Sequence, residues 1–130
     1  MNELTKAEAQ VMQYIWELEK SFLKEIVEAF PEPRPAYTTI STVIRVLVKK
    51  GYVNYKTYGK VHEYYPLVSR KAYFRKHVKS IINTHFDGSY VSFVSFFTGE
   101  DAVDLAELEE IKHLIDQKIK TKKGEHTSWD

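Results

Sequence analysis

Cysteine is absent from this chain, which excludes disulfides, thiolate nucleophiles and thiolate metal sites. Long hydrophobic runs are absent too, so no segment of the sequence is apolar enough to span a membrane. The N-terminus reads as an amphipathic helix bearing Glu and Lys, not as a signal peptide. We therefore expect a cytoplasmic protein without direct membrane insertion.

The residue patterns that catalysis requires are also missing. The chain has no Gly-rich phosphate loop and no nucleophile elbow. Its five His residues do not form a pair with metal-ligand spacing, and neighbouring carboxylates such as Glu109 and Glu110 belong to a solvated helix surface. The sequence therefore predicts no enzymatic activity, no catalytic residues, no metal site and no cofactor.

What the chain does contain is a globular composition and a segregated charge. Hydrophobic residues make up 43% of its 130 residues, enough for one compact domain or a small domain with an appendage. The net charge of +1 conceals a net +6 over residues 1–80 (14 Lys and Arg, 8 Asp and Glu) and a net −5 over residues 81–130 (5 and 10). This asymmetry fits a head that binds a polyanion, although uneven charge is common in other proteins.

The segment from Thr39 to Lys50 predicts an amphipathic helix that ends at Gly51, a residue suited to a left-handed C-cap. Its apolar stripe is Ile40, Val43, Ile44 and Leu47. Its polar face is Thr38, Ser41, Thr42, Arg45 and Lys49. Short hydroxyls allow close approach to DNA and cations hold phosphates, so a helix about 18 Å long with this face suits the major groove. The alternative is an amphipathic helix whose polar face is merely solvated.

A β-hairpin is predicted directly after this helix. Residues 52–58 and 61–66 are rich in Tyr and Val, and a turn at Gly59 and Lys60 separates them. A reading helix followed by a hairpin with Lys56 and Lys60 near its tip is typical of a winged helix-turn-helix, whose wing lies on the DNA backbone. Alternatively, these lysines only protect the hairpin edge from aggregation.

Two shorter helices upstream complete the motif. A capping box, Thr5 with Glu8, predicts a first helix to about Glu19. A second helix near Leu23 to Phe30 is stopped by a proline-containing loop that carries Arg34. Residues 1–68 are therefore interpreted as a winged-helix DNA-binding domain.

Three further helices are predicted after the wing: one capped by Ser69 and reaching about Phe86, a short hydrophobic one from Tyr90 to Phe97, and one opened by Asp104. This segment is too small to bury so many apolar side chains alone, so a second copy of the chain is its simplest partner. Alternatively, these helices pack on their own winged helix. Residues 69–120 are interpreted as a helical dimerisation module, and residues 121–130 as a disordered tail.

Several of these segments resemble the penicillinase-repressor family, the BlaI/MecI type. The likeness includes Tyr37-Thr38-Thr39, Lys49-Lys50-Gly51, and looser matches such as Phe93-Val94, over about residues 4–120. It implies a mainly α fold with a small β-hairpin wing: a winged helix-turn-helix plus a C-terminal helical dimerisation module. It also implies a homodimeric transcriptional repressor that regulates transcription by binding a dyad-symmetric operator. The alternative is a winged-helix module for protein interaction or non-specific DNA binding.

The motif and the resemblance together assign residues to two surfaces. The predicted DNA-binding residues are Arg34, Tyr37, Thr38, Thr39, Ser41, Thr42, Arg45, Lys49, Lys50, Lys56 and Lys60. The predicted dimerisation residues are Phe74, Val78, Ile81, Phe93, Phe97, Leu108, Ile111 and Ile115.

A third partner is implied by the resemblance alone. Members of the family are released from DNA when a membrane-bound sensor protease, or its signal, leads to cleavage in the short hydrophobic helix. The equivalent bond here is Phe96–Phe97. Phe96 departs from the family, whose members have Asn or another polar residue there. The alternative is that residues 90–97 are simply core.

Overall fold

The structure, a computed structural model, describes residues 3–99 and 103–127. The chain divides into two compact units, Met1–Lys79 and Ser80–Asp130. The predicted boundary between residues 68 and 69 thus differs from the division found in the structure.

The first unit begins with helix α1, Lys6–Leu18, whose start is determined by local hydrogen bonds. The Thr5 hydroxyl accepts a hydrogen bond from the Glu8 amide at 3.2 Å, and the Glu8 carboxylate accepts one from the Thr5 amide at 2.9 Å. The predicted capping box is confirmed, because the amides of Thr5 and Glu8, which have no partner within the helix, each donate to the side chain of the other residue.

Helices α2, Leu23–Ala29, and α3, Tyr37–Lys50, follow. Helix α3 begins at Tyr37, somewhat before the predicted Thr39, and follows an extended N-cap at Ala36. It ends at Gly51, whose φ of 87° is left-handed as predicted.

A three-stranded antiparallel sheet accompanies the helices. Strand β1 is Ser21–Phe22, β2 is Val53–Tyr58 and β3 is Val61–Pro66, in the order β1-β3-β2. The predicted hairpin is confirmed by the pairing of β2 with β3. Strand β1 was not predicted, because two residues carry no periodic pattern and this strand exists only through its pairing with β3.

The core of the first unit lies where α1, α2, α3 and the base of the sheet meet. Its buried side chains are Val11, Met12, Ile15, Ile26, Phe30, Ile40, Ile44, Leu47, Tyr52 and Val53. Three of them belong to α3, so the packing of one face of this helix fixes the direction in which the other face points.

Helix α4, Arg70–His85, contains the boundary between the units. Its predicted N-cap is confirmed, because the Ser69 hydroxyl accepts a hydrogen bond from the Ala72 amide at 3.0 Å. The centres of the Tyr73 and Trp16 rings are 5.8 Å apart. The Tyr73 hydroxyl also accepts a hydrogen bond from the Leu4 amide at 3.3 Å. These contacts explain why the first half of α4 belongs to the winged-helix unit, a grouping that sequence spacing does not reveal.

The second unit contains helices α5, Tyr90–Thr98, and α6, Leu105–Thr127. The Asp104 carboxylate caps α6 by accepting a hydrogen bond from the Glu107 amide at 2.9 Å, as predicted. Helix α6 continues to Thr127, contrary to the predicted disordered tail from residue 121. The reason is that residues such as Lys122 and Lys123 favour helix, so the backbone hydrogen bonding of α6 continues through them. Residues 128–130 lie outside the described residues.

Apolar side chains in this unit are mostly exposed. Within its described part, Ile82 is the one buried hydrophobic residue. The large hydrophobic residues that are exposed are Tyr90, Val91, Val94, Phe96, Leu105, Leu114, Ile115 and Ile119. No helix in the described ranges has the length and apolarity needed to cross a bilayer.

Candidate nucleic-acid interface

The outward face of α3 presents the predicted combination of hydroxyls and cations. Tyr37 is 53% exposed. The other predicted residues that are exposed on this helix are Thr38, Thr39, Thr42, Arg45 and Lys49, and Ser41 is half-buried. The Thr42 hydroxyl donates to the Thr38 carbonyl at 2.9 Å, which leaves its lone pairs available to accept. This face can therefore both donate to and accept from base edges and bind phosphates.

Arg34 is bonded to nearby groups of its own loop and of α2. Its Nε donates to the Phe30 carbonyl at 2.8 Å and a terminal nitrogen donates to the Glu28 carbonyl at 3.1 Å. Its other terminal nitrogen lies 3.2 Å from the Glu32 carboxylate. The guanidinium thus caps the carbonyl end of α2, and its contact with DNA stays a prediction.

Lys50 likewise has a partner inside the unit. Its ammonium donates to both carboxylate oxygens of Glu8, at 2.7 and 2.9 Å, and so joins the end of α3 to the start of α1. Burial raises the pKa of Glu8, but hydrogen bonds from Lys50 and Thr5 and the charge of Lys50 outweigh it and hold that pKa below its ordinary value. This ion pair gives Lys50 a structural role, and its contact with phosphate stays a prediction.

The wing carries the two predicted cations in exposed positions. Lys60 follows Gly59, whose φ of 63° allows the tight turn between β2 and β3. The Lys56 ammonium lies 5.4 Å from the centre of the Tyr58 ring. Both lysines are available to a polyanion because neither forms an ion pair within the described part of the chain.

An aromatic cluster on the wing, formed by Tyr55, His62 and Tyr64, was missed by the site prediction. The centre of the Tyr55 ring lies 4.1 Å from the centre of the His62 ring and 5.7 Å from that of the Tyr64 ring. Tyr55 and Tyr64 are cross-strand partners, so their side chains share a face of the hairpin. Strand alternation in the sequence could have revealed this shared face.

The wing cluster is electrostatically connected to α3. Burial raises the pKa of Tyr64 most, and the nearby Tyr55 and Tyr37 hydroxyls raise it further, while Arg45 lowers it. A neutral phenol here can donate a hydrogen bond at ordinary pH.

The predicted dimerisation residues differ in exposure. Ile115 is 48% exposed, and Phe74 and Val78 are also exposed. Those that are half-buried are Ile81, Phe93, Phe97, Leu108 and Ile111. At the predicted cleavage bond, Phe96 is 65% exposed while Phe97 packs with its ring 5.6 Å from that of Phe93.

A family model described as penicillinase repressor matches residues 4–117. The chain belongs to the penicillinase repressor family. It is 31% identical over 117 residues to the methicillin resistance regulatory protein MecI of Mammaliicoccus sciuri, covering 89% of this chain and 95% of that protein. It is 25% identical over 122 residues to the penicillinase repressor of Bacillus licheniformis, covering 93% and 95%. A solved CopR repressor structure aligns with 52% of this chain and 100% of its own, at 30% identity and a TM-score of 0.44.

Membership of the penicillinase repressor family confirms several predictions. The chain is a DNA-binding regulator of transcription that acts as a repressor, and it is not an enzyme. The mainly α fold with a small antiparallel sheet is confirmed as well. Within the described residues no cluster of His, Asp and Glu could hold a metal ion.

Proposed function

We propose that this repressor is a cytoplasmic homodimer that binds a dyad-symmetric operator through α3 and its wing. The observation that carries the proposal is the exposed polar face of α3, held in place by Ile40, Ile44 and Leu47 in the core. Lys56 and Lys60 add exposed positive charge on the wing. Such a surface matches a reading helix in a major groove with a wing against the adjacent backbone.

The dimeric state is supported by the apolar surface of the second unit. Val91 is 81% exposed, Leu105 71% and Leu114 68%. Side chains of this size gain about 1.5–3 kcal/mol each when removed from water, so a second copy that covers them would stabilise the assembly. A homodimer would carry two reading helices, which explains why we expect a dyad-symmetric operator.

Release is proposed to follow a signal from a membrane-bound sensor protease, with cleavage of the Phe96–Phe97 bond. The bond lies in α5, so a cut would separate α6 from α4 in the chain. Loss of the apolar surface of α6 would weaken the dimer, and linked binding to two half-sites would be lost with it. Support comes from the family resemblance and from the exposure of Phe96.

Operator binding is tested by footprinting the full-length protein on the DNA upstream of its own gene. We expect protection of a palindrome, and binding at least about 10³-fold tighter than to random duplex. Equal affinity for the operator and for random duplex would instead indicate that the chain binds DNA non-specifically.

Cleavage is tested by mass spectrometry of the protein from induced cells. A fragment ending at Phe96 is expected, and Phe96→Asn, which restores the residue type of the family, should be cut at least as fast. Ser95→Asn is the matched control, since it adds the same side chain on the same helix but leaves the residue at the bond unchanged. Intact chains during full derepression would exclude proteolysis.

A further inference from the structure

A groove of about 490 Å³ lies between the start of α3, the wing and the start of α2. Its walls include the rings of Tyr37, His62 and Tyr64. It belongs wholly to the winged-helix unit, and the assignment of DNA-binding residues above includes only part of its lining.

The charges in the groove favour an anion. Lys24 from α2 and Lys60 from the wing both line it and are exposed. The Glu25 carboxylate also lines it, but this group accepts a hydrogen bond from the Phe22 amide at 2.9 Å and is held against the backbone. The two ammonium groups thus outnumber the one carboxylate of this lining.

The groove is continuous with the reading face of α3. Tyr37 is the first residue of α3 and also lines the groove. Tyr64 and Lys60 line the same groove from the wing. A strand that contacts the start of α3 can therefore pass Tyr64 and reach Lys60 along one surface.

We propose that this groove seats the sugar–phosphate backbone of one DNA strand, with Lys24 and Tyr64 as phosphate contacts. The inference rests on the proposed function and extends its contact surface to α2 and to the face of the wing that bears the aromatic cluster. Ammonium and phenol groups bind phosphate oxygens, and the rings offer apolar contact to the sugars. Small molecules bind best in enclosed pockets. An open groove that continues into the reading face is therefore better suited to a long polymer.

Two substitutions in the full-length protein test whether the groove binds the DNA backbone. Lys24→Ala is expected to weaken operator and random DNA by similar factors and to make the dependence of log affinity on log salt shallower by about 0.9. Tyr64→Phe removes a single hydroxyl and keeps the ring, and a loss of about three- to tenfold in affinity is expected.

The chain offers matched controls on a separate surface. Lys20 and Tyr65 line another depression together with Pro66, at the base of the hairpin and away from its tip. Lys20→Ala and Tyr65→Phe make the same chemical changes there, so both should bind DNA like the parent. Thermal melts of all four variants verify that the fold is retained.

The outcomes separate this inference from the proposed function. If the parent protein does not prefer its operator, the proposed function fails. If the parent binds the operator specifically but the Lys24→Ala and Tyr64→Phe variants bind it with the same affinity, the proposed contact between the groove and the DNA backbone is overturned. A saturable response of the groove tyrosines to benzoate, with DNA affinity unchanged in both variants, would also overturn it and assign the groove to small aromatic anions.

Discussion

Arg45 and Lys50 are cations of the same helix with different surroundings. Arg45 is exposed on the outward face of α3, whereas Lys50 is half-buried and bonded to Glu8. A charge that already has a partner contributes little to a second one, because breaking the first contact leaves a carboxylate desolvated. Charge alone therefore does not identify the cations that read DNA.

Arg45→Ala should weaken operator binding by about 1–3 kcal/mol, because a base contact in the major groove would be lost. Binding to random duplex should change much less. Arg75→Ala, at an exposed arginine of α4, serves as the control and should leave both affinities unchanged. Operator affinity of the Arg45 variant equal to that of the parent would mean that the reading face is assigned wrongly.

Glu8→Gln should lower the free energy of unfolding by about 1–3 kcal/mol, since it removes the charge that pairs with Lys50 and keeps an oxygen for the Thr5 amide. Urea titration near neutral pH measures this difference. Glu17→Gln, at an exposed site of the same helix, should stay within about 0.5 kcal/mol of the parent.

The same pair predicts a pH dependence. The pKa of Glu8 is held below the ordinary value of 4.5, so the pair stabilises the fold fully above that pH and this contribution is lost as the pH falls through the lowered pKa. The stability gap between the parent and Glu8→Gln should therefore be constant above about pH 6 and shrink in acid. A gap that grows on acidification would contradict the assignment.

At the scale of elements, the wing depends on a short strand from elsewhere in the chain. Strand β1 covers one edge of β3 through Ser21 and Phe22, and the Phe22 ring lies 6.2 Å from that of Tyr58. A two-stranded hairpin alone is marginally stable, and a third strand stabilises its position. The wing can thus present Lys56 and Lys60 in a defined direction.

Lys60→Ala in the wing should weaken operator and random DNA about equally and reduce the salt slope by about 0.9. The reason is that a phosphate contact releases counterions without reading sequence. Titrations at several salt concentrations measure both effects, with Lys118→Ala on α6 as the control. A loss confined to the operator would indicate that Lys60 contacts bases instead.

At the scale of the whole molecule, the second unit has exposed apolar side chains on both of its own helices, α5 and α6. Large apolar side chains that are exposed in such number favour an interaction site. Its covering by a second copy remains a prediction.

Ile115→Glu should shift the full-length protein toward monomers, because a charge would have to be buried in the proposed interface. Sedimentation at micromolar concentration measures the shift, and operator affinity should fall with it, since linked half-site binding is lost. Gln117→Glu adds the same charge at a polar site of α6 and should remain dimeric. If the parent is itself monomeric and binds the operator with full affinity, the dimer proposal is wrong.

Features that depend on near neighbours could be predicted from the sequence. The capping box at Thr5, the stripe of α3, the left-handed Gly51 and the hairpin turn at Gly59 were predicted, because their hydrogen bonds and spacings involve residues within a few positions. The α3 face of the candidate site follows from the same periodicity, since its exposed side is the complement of the buried stripe.

Contacts between distant segments, in contrast, could not be predicted from the sequence. Lys50 is paired because Glu8, at the other end of the motif, lies against it. Strand β1 and the division of the chain inside α4 likewise depend on contacts between distant segments. Burial and pairing depend on the residues that folding places next to a side chain, and these neighbours are distant in the sequence.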